Sequence, residues 1–417
     1  MINLCYSTFG LTKIDFLDAI REVDKAGYPG IELSFHRDHF NPFLITDNDL
    51  DAVKTYLNSM RVKAACLSTA SHFFTPSRPH EPSLICPELA GRKRRIDLIR
   101  RGIHAARRMG IPLVTFGSGF IRDEHVSQKN LNVKELLLDS IHACLKELQE
   151  SDDITLLIEP EPGMYIETLE QGLSLVREVN SPRFQLHLDL CHNYCSESNY
   201  LGALAAAAPY AKFLHISDAK KGCNLKILKV YLDTIDDVQM DLNFADYLLY
   251  FPETADYLWV NRNNPIYFGD QEPDVVSRNK IGTILEKYGI HAPMNFVKYK
   301  DLYTGKSPLE NEMFVYLISV PGLSYDVLER VRPILIYLRS TKGSNGQLLM
   351  DKMVANTLTG IVHFHEIPGE GEMDFASSFK VLKENGFSGY ASVELYHHIT
   401  SWEKALKDSY LHLSRFL

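Results

Sequence analysis

Cysteine is scarce, with seven in 417 residues at positions 5, 66, 86, 144, 191, 195 and 223. A disulfide framework needs dense, paired cysteines, so an odd and scattered set reads as reduced thiols. Long hydrophobic runs are also missing. No uncharged apolar stretch approaches the roughly 18 residues of a membrane span, and Met1-Ile2-Asn3-Leu4-Cys5 puts no cationic region ahead of an apolar core. The expectation is a soluble cytoplasmic protein with no membrane partner. Positive charge is in deficit, because 44 Lys and Arg against 53 Asp and Glu leave a formal charge of −9. Nothing in that balance attracts nucleic acid or an anionic surface. A Gly-rich phosphate loop of the Walker type, internal repeats and low-complexity tracts are absent too. The basic run Arg92-Lys93-Arg94-Arg95 reads as the solvated face of a helix, and Cys191 and Cys195 around His192 do not by themselves make a zinc site.

What is present is alternation. Short β-branched or apolar runs at Ile2 to Ser7, Gly30 to Phe35, Val62 to Ser68, Pro112 to Gly117, Ile154 to Glu159, Phe184 to Asp189 and Lys212 to Ser217 are separated by amphipathic segments. That order marks β-α units feeding a parallel sheet. Ile14 to Ala26 carries Phe16, Ile20 and Val23 on one stripe with Gly27 as a stop, and Val133 to Leu148 carries Leu137, Ile141, Cys144 and Leu148. An eighth strand, Tyr390 to Leu395, comes only near the C-terminus, before a helix that Ser401 could cap and whose inner face holds Trp402, Leu406 and Leu413.

The pattern predicts an α/β fold, a (β/α)8 TIM barrel made of residues 1–218 and 361–417, with a large inserted α/β module, residues 219–360, in the seventh βα connection. Within the module, strands are expected at Tyr257 to Val260, Met294 to Val297 and Met313 to Val320, and helices near Val275 to Tyr288, Tyr325 to Leu338 and Gln347 to Leu358. It is long enough to hold a small core. Leaving from the C-terminal rim, it could act as a lid, a substrate-selecting wall or a contact with a second copy of the chain.

Strand C-terminal ends converge on one face of such a barrel, so polar residues there read as a site. Strand five ends in Glu159, strand six in Asp189, strand seven carries His215 and strand eight ends in Glu394. Three clustered carboxylates repel one another unless a cation joins them, so one divalent metal bound by Glu159, Asp189, His215 and Glu394 is the economical explanation. Oxygen-rich ligation with one nitrogen suits Mn²⁺, Mg²⁺ or Co²⁺ ahead of Zn²⁺ or Fe²⁺.

The residues around these ends carry a resemblance. Asp189-Leu190-Cys191-His192, His215-Ile216-Ser217-Asp218, the segment from His365 through Gly369-Glu370-Gly371 to Phe375, Gly389-Tyr390-Ala391-Ser392-Val393-Glu394 and the N-terminal Ala26-Gly27-Tyr28-Pro29-Gly30-Ile31-Glu32-Leu33 resemble the xylose isomerase-like TIM-barrel superfamily, in particular its sugar-phosphate isomerase/epimerase branch. The likeness covers residues 1–218 and about 361–417 and leaves the module unmatched. It implies a metal-dependent isomerase or epimerase acting on a small molecule, a sugar, keto-sugar or cyclitol with or without phosphate. Proton abstraction next to a carbonyl through an enediolate would fall to Glu159 and Glu394, with His192 on a substrate oxygen.

Three further residues are expected to touch substrate. They are His72 after strand three, Glu161 in Glu159-Pro160-Glu161-Pro162, and His365 ahead of the glycine turn. Other readings start from the same barrel. A lyase or dehydratase would expel a β-leaving group from the same enediolate, and a non-catalytic barrel would use the site for binding alone. A metal-dependent phosphodiesterase of the apurinic-endonuclease kind would need a histidine after strand four, where Phe116-Gly117-Ser118-Gly119-Phe120 has none.

Overall fold

The computed structural model describes residues 1–69, 73–74, 80–121, 125, 128, 130–161, 164–197, 199–219, 365–371, 373–396 and 398–417, together with seven strands between 225 and 361. Contacts divide the chain into two compact units, Met1–Lys221 with His363–Leu417, and Gly222–Val362.

The first unit is built on β1 (Ile2–Ser7), β2 (Gly30–Ser34), β3 (Lys63–Ser68), β4 (Leu113–Gly117), β5 (Thr155–Glu159), β6 (Phe184–Asp189) and β7 (Ala211–Ile216). The second holds β8 (Leu225–Ile235), β9 (Asp246–Phe251), β10 (Asp256–Val260), β11 (Asn295–Lys300), β12 (Phe314–Ser319), β13 (Ile334–Lys342) and β14 (Leu348–Ile361). The chain then returns to the first unit as β15 (Gly389–Val393). Strands β1 to β7 and β15 form a closed barrel, in the order β1-β15-β7-β6-β5-β4-β3-β2, with every pairing parallel.

Parallel strands covered on both faces must be apolar almost throughout, and Leu156-Leu157-Ile158 of β5 are fully buried. Inside the barrel, Cys5 of β1, Ala65 and Cys66 of β3, Leu157 of β5 and Phe213 of β7 pack as one cluster, a layer contributed by alternate strands. Cys5, Cys66, Cys86 and Cys144 are free, buried thiols.

Among the helices, α1 (Phe16–Lys25) starts later than its apolar stripe suggests, because the Asp15 side chain accepts from Leu17 N and fixes the cap there. Gly27, at φ +91°, ends the turn. Then follow α2 (Asp47–Asn58), α3 (Leu89–Met109), α4 (Val133–Leu145), α5 (Leu169–Val179), α6 (Leu190–Ser196), α7 (Tyr200–Ala207), α8 (Phe375–Glu384) and α9 (Trp402–Leu413). Among the described residues no helix is long and apolar enough to cross a membrane. Two local expectations are corrected. Ser401 stands at the start of α9 without a side-chain capping bond. In α3 the basic run is only partly a solvated face. Arg92 donates to the carbonyls of Cys86 and Pro87, and Arg95 is buried with Nε donating to the Pro82 carbonyl.

The barrel closes across the insertion by a clamp. Asp218 N donates to Glu366 O at 2.8 Å and Glu366 N returns the bond at 2.9 Å. The Asp218 carboxylate also accepts from the backbone N–H groups of Ala219 and Gly369 at 2.8 Å and of Gly371 and Met373 at 3.1 Å. Gly371 is required by that loop, because a Cβ there would stand 1.8 Å from the Ala219 carbonyl oxygen.

In the second unit the seven strands form one sheet, ordered β10-β9-β13-β14-β8-β12-β11, with every pairing antiparallel. Strands β10, β11 and β12 lie on the runs expected to be strands. The helix expected at Gln347 to Leu358 is instead β14, and the end of the one expected at Tyr325 to Leu338 is β13. Apolar residues at Met350, Val354 and Leu358 fit a helical stripe, but β14 pairs along nearly its whole length with β8 and β13. Tertiary pairing overrides so ambiguous a local period. The helix expected at Val275 to Tyr288 lies outside the described residues.

Candidate metal centre

Glu159 is the last residue of β5, Asp189 the last of β6, and Glu394 directly follows β15, while His215 is the penultimate residue of β7. Register makes them neighbours. Asp189 pairs with His215 and Ser392 with His215, so the strand ends reach one level. His215 Nδ1 stands 3.2 Å from Glu159 Oε1, 3.5 Å from Glu394 Oε2 and 3.8 Å from Asp189 Oδ2. The four residues expected as ligands thus converge on one imidazole nitrogen.

Two histidines enter from neighbouring elements. His192 follows Asp189 into α6, where its backbone N–H donates to Asp189 Oδ1 at 3.0 Å. Its Nδ1 is 3.6 Å from Glu159 Oε1 and its Nε2 is 3.7 Å from Asp189 Oδ2. His365 is buried, with Nε2 at 3.2 Å from His192 Nε2 and 3.8 Å from Asp189 Oδ2. Its Nδ1 is 2.8 Å from the Glu394 carbonyl oxygen, which fixes that nitrogen as the donor. Asp189, His192 and His365 therefore form a second set of three donors sharing Asp189 with the first.

The electrostatics are those of carboxylates and imidazoles crowded into a buried space. Burial pushes the Glu159 carboxyl up to about 7, against the pull of His215 and with Asp189 and Glu161 adding to the rise. Burial also holds Glu394 well above the usual carboxylate range, again opposed by His215. Burial works against the Asp189 charge too, but His192, His365 and His215 more than offset it and hold that carboxyl at about 2. His215 is itself raised well above an ordinary histidine, because Glu32, Glu394 and Glu159 outweigh its burial.

Asp189 Oδ2 is buried without a hydrogen-bond partner among the described residues, although its neighbours lie at 3.7 and 3.8 Å. An unbonded buried carboxylate oxygen facing imidazole nitrogens fits a divalent ion between them. The donor atoms of Asp189, His215 and Glu394 all lie within 4.8 Å of one another, as do those of Glu159, His187 and His215.

Sequence reasoning missed three participants. Glu32, on β2, is fully buried and places both oxygens on His215 Nε2, at 3.0 and 2.9 Å, while Ser392 Oγ donates to it at 2.8 Å. His187 of β6 lies beneath Glu159, with Nδ1 at 3.6 Å from Oε2 and 2.8 Å from Thr115 Oγ1. Burial and the adjacent His215 and His192 hold it well below the usual histidine range. A signal existed for both. Glu32 interrupts an otherwise apolar run, and His187 is two residues before Asp189, hence on the same strand face. His80 was missed without any such signal. It approaches Glu161, with Nε2 at 3.4 Å from Oε2. His72 lies outside the described residues.

A family model described as xylose isomerase-like TIM barrel matches residues 20–245, more than half of the chain. The chain belongs to this xylose isomerase-like family. No curated protein matches the sequence. Among solved structures, the chain is similar to the IolI protein with a bound zinc atom at 15% identity, covering 100% of this chain and 99% of that one, with a TM-score of 0.52. It is similar to a D-tagatose 3-epimerase-like protein at 11% identity, covering 99% of each chain, with a TM-score of 0.53. It also resembles the probable 3-DHS dehydratase AsbF of Bacillus anthracis at 11% identity, covering 99% of each chain, with a TM-score of 0.51. Likeness at these identities shows the fold. In this xylose isomerase-like barrel the strands that carry Glu159, Asp189, His215 and Glu394 at or next to their ends, β5, β6, β7 and β15, are consecutive around the ring.

Proposed function

We propose that this chain is a divalent-metal-dependent isomerase or epimerase of a sugar, keto-sugar or cyclitol, working by proton transfer at a carbon next to a carbonyl. One observation carries the reading. Glu159 and Glu394 reach the same imidazole nitrogen of His215 from strands on either side of β6 and β7, so two carboxylates flank one point at which an ion and the substrate carbon beside it would meet them both.

Glu159, Asp189, His215 and Glu394 would hold the ion. When bound, it would polarise the substrate carbonyl and so acidify the neighbouring C–H. The protein's own groups do the rest. One glutamate takes the proton and the other delivers one, to the opposite face of the same carbon for epimerisation or to the adjacent carbon for isomerisation. With the ion bound both carboxylates would be ionised, so one is free to take up the substrate proton as a base. Asp189 stays ionised and anchors the site. His192, His365, Glu161 and His72 are assigned to substrate oxygens, His192 being the most direct because its ring already borders both Glu159 and Asp189.

The test is solvent-deuterium incorporation by the metal-loaded protein across ketoses, keto-cyclitols and their phosphates. His192→Ala should keep its metal while turnover falls on the order of 10²-fold. Full activity in His192→Ala would remove that residue from the reaction.

A further inference from the structure

Of the groups outside the ligand cluster, His80 is the best placed for a task the mechanism has not used. It belongs to the loop between β3 and α3, yet its ring lies over the end of β4. A Cβ added to Gly117 would stand 3.3 Å from His80 Nδ1, and 3.0 Å from Met164 Sδ. Gly117 is the register partner of Glu159, so the imidazole lies against the strand next to the one that carries Glu159. The ring meets Phe120 edge-on, with centroids 5.4 Å apart, and Nε2 approaches Glu161 Oε2 at 3.4 Å. His80 holds φ at +64°, a left-handed conformation uncommon for a residue with a side chain. Such backbone is found where a side chain must be aimed at a site.

Resting on the isomerase or epimerase reading, we propose that His80 and Glu161 bind the end of the substrate remote from the reacting carbons, and that this end carries free hydroxyls rather than a phosphate. A carboxylate only accepts, and an imidazole nitrogen donates or accepts, so the pair matches two neighbouring hydroxyl groups. A phosphate monoester would instead bring up to two negative charges against Glu161, two residues along the chain from Glu159 and its neighbouring carboxylates Glu32, Asp189 and Glu394. Phe120 and Met164, both buried, supply the apolar wall on which the carbon face of a sugar rests.

The experiment measures binding of the neutral ketohexoses and of their 6-phosphates to the full-length protein by calorimetry, after metal content has been determined. At least one neutral ketohexose should bind more tightly than its phosphate. His80→Ala should weaken that binding by up to about tenfold, the scale of one hydrogen bond to a neutral hydroxyl, with metal content unchanged. His80→Gln, which keeps a donor, should recover part of the loss. Glu161→Gln should narrow the preference for neutral sugar over phosphate, a change of ratio that damage to the loop would not produce.

Phosphates that bind as tightly as neutral sugars, a ratio unmoved by Glu161→Gln, or no binding by any of these sugars would overturn the proposal. Solvent-deuterium exchange separates it from the reading beneath it. Exchange that persists with an unmoved ratio removes only the role of His80 and Glu161. Binding that follows these two residues without any C–H exchange removes the isomerase or epimerase reading and keeps them as ligand contacts.

Discussion

Glu32 grips His215 from behind, with both carboxylate oxygens within 3.0 Å of Nε2. This bond fixes Nε2 as the protonated nitrogen and leaves Nδ1, at the centre of Glu159, Asp189 and Glu394, as the one able to bind an ion. A buried carboxylate behind a ligating histidine sets the ring's orientation and raises its basicity. Glu32→Gln should therefore retain the fold while weakening metal affinity by about 10- to 100-fold. Competition with a chelator of known affinity measures it. Affinity equal to that of the unaltered protein would show that Glu32 does not tune His215.

Protons compete with the ion. With Glu159 raised to about 7 and Glu394 raised as well, the ion-free centre holds protons at neutral pH that binding must expel. Apparent metal affinity should consequently rise with pH through about 7, and calorimetry in two buffers of different ionisation enthalpy should register proton release. Affinity flat across that range would mean that these carboxyls are already ionised.

Asp218 collects four backbone N–H groups in a buried setting. Asp218→Ala leaves those donors unpaired and should destabilise the first unit by about 3 kcal/mol, several times the effect of an ordinary surface change. Urea unfolding of the variant is the measurement. A loss under about 0.5 kcal/mol would show that water replaces the carboxylate freely.

The same clamp bears on the insertion. Because Asp218 and Glu366 exchange two backbone hydrogen bonds, a short Gly/Ser linker in place of residues 220–364 should leave the barrel able to fold and to bind metal. Circular dichroism with metal analysis checks this. An unfolded product would make the inserted sheet part of the barrel's folding unit.

The legibility of the sequence followed the physics of each region. Barrel strands announced themselves because both faces are covered, which leaves unbroken apolar runs such as Leu156-Leu157-Ile158, and the candidate ligands stood out as the polar residues closing those runs. His365 was harder to place, since it comes 148 positions after Ser217 along the chain while the Asp218–Glu366 pairing sets it beside His192. Glu32 and His187 lie within strands rather than at their ends, and only inward burial gives their polarity a meaning. The inserted sheet was least legible, because long antiparallel pairing, a non-local cause, decides that Gln347 to Leu358 is extended.

Glu159 and Glu394, gathered around one divalent ion, are proposed to exchange a substrate C–H proton. Mass-spectrometric detection of solvent deuterium in recovered substrate tests it most directly, with the metal-loaded protein compared with metal-loaded Glu159→Gln. The account predicts close to one ion per chain, incorporation at a single carbon by the unaltered protein, and its loss in the variant. Retained incorporation in metal-loaded Glu159→Gln would contradict it and move the base to another residue.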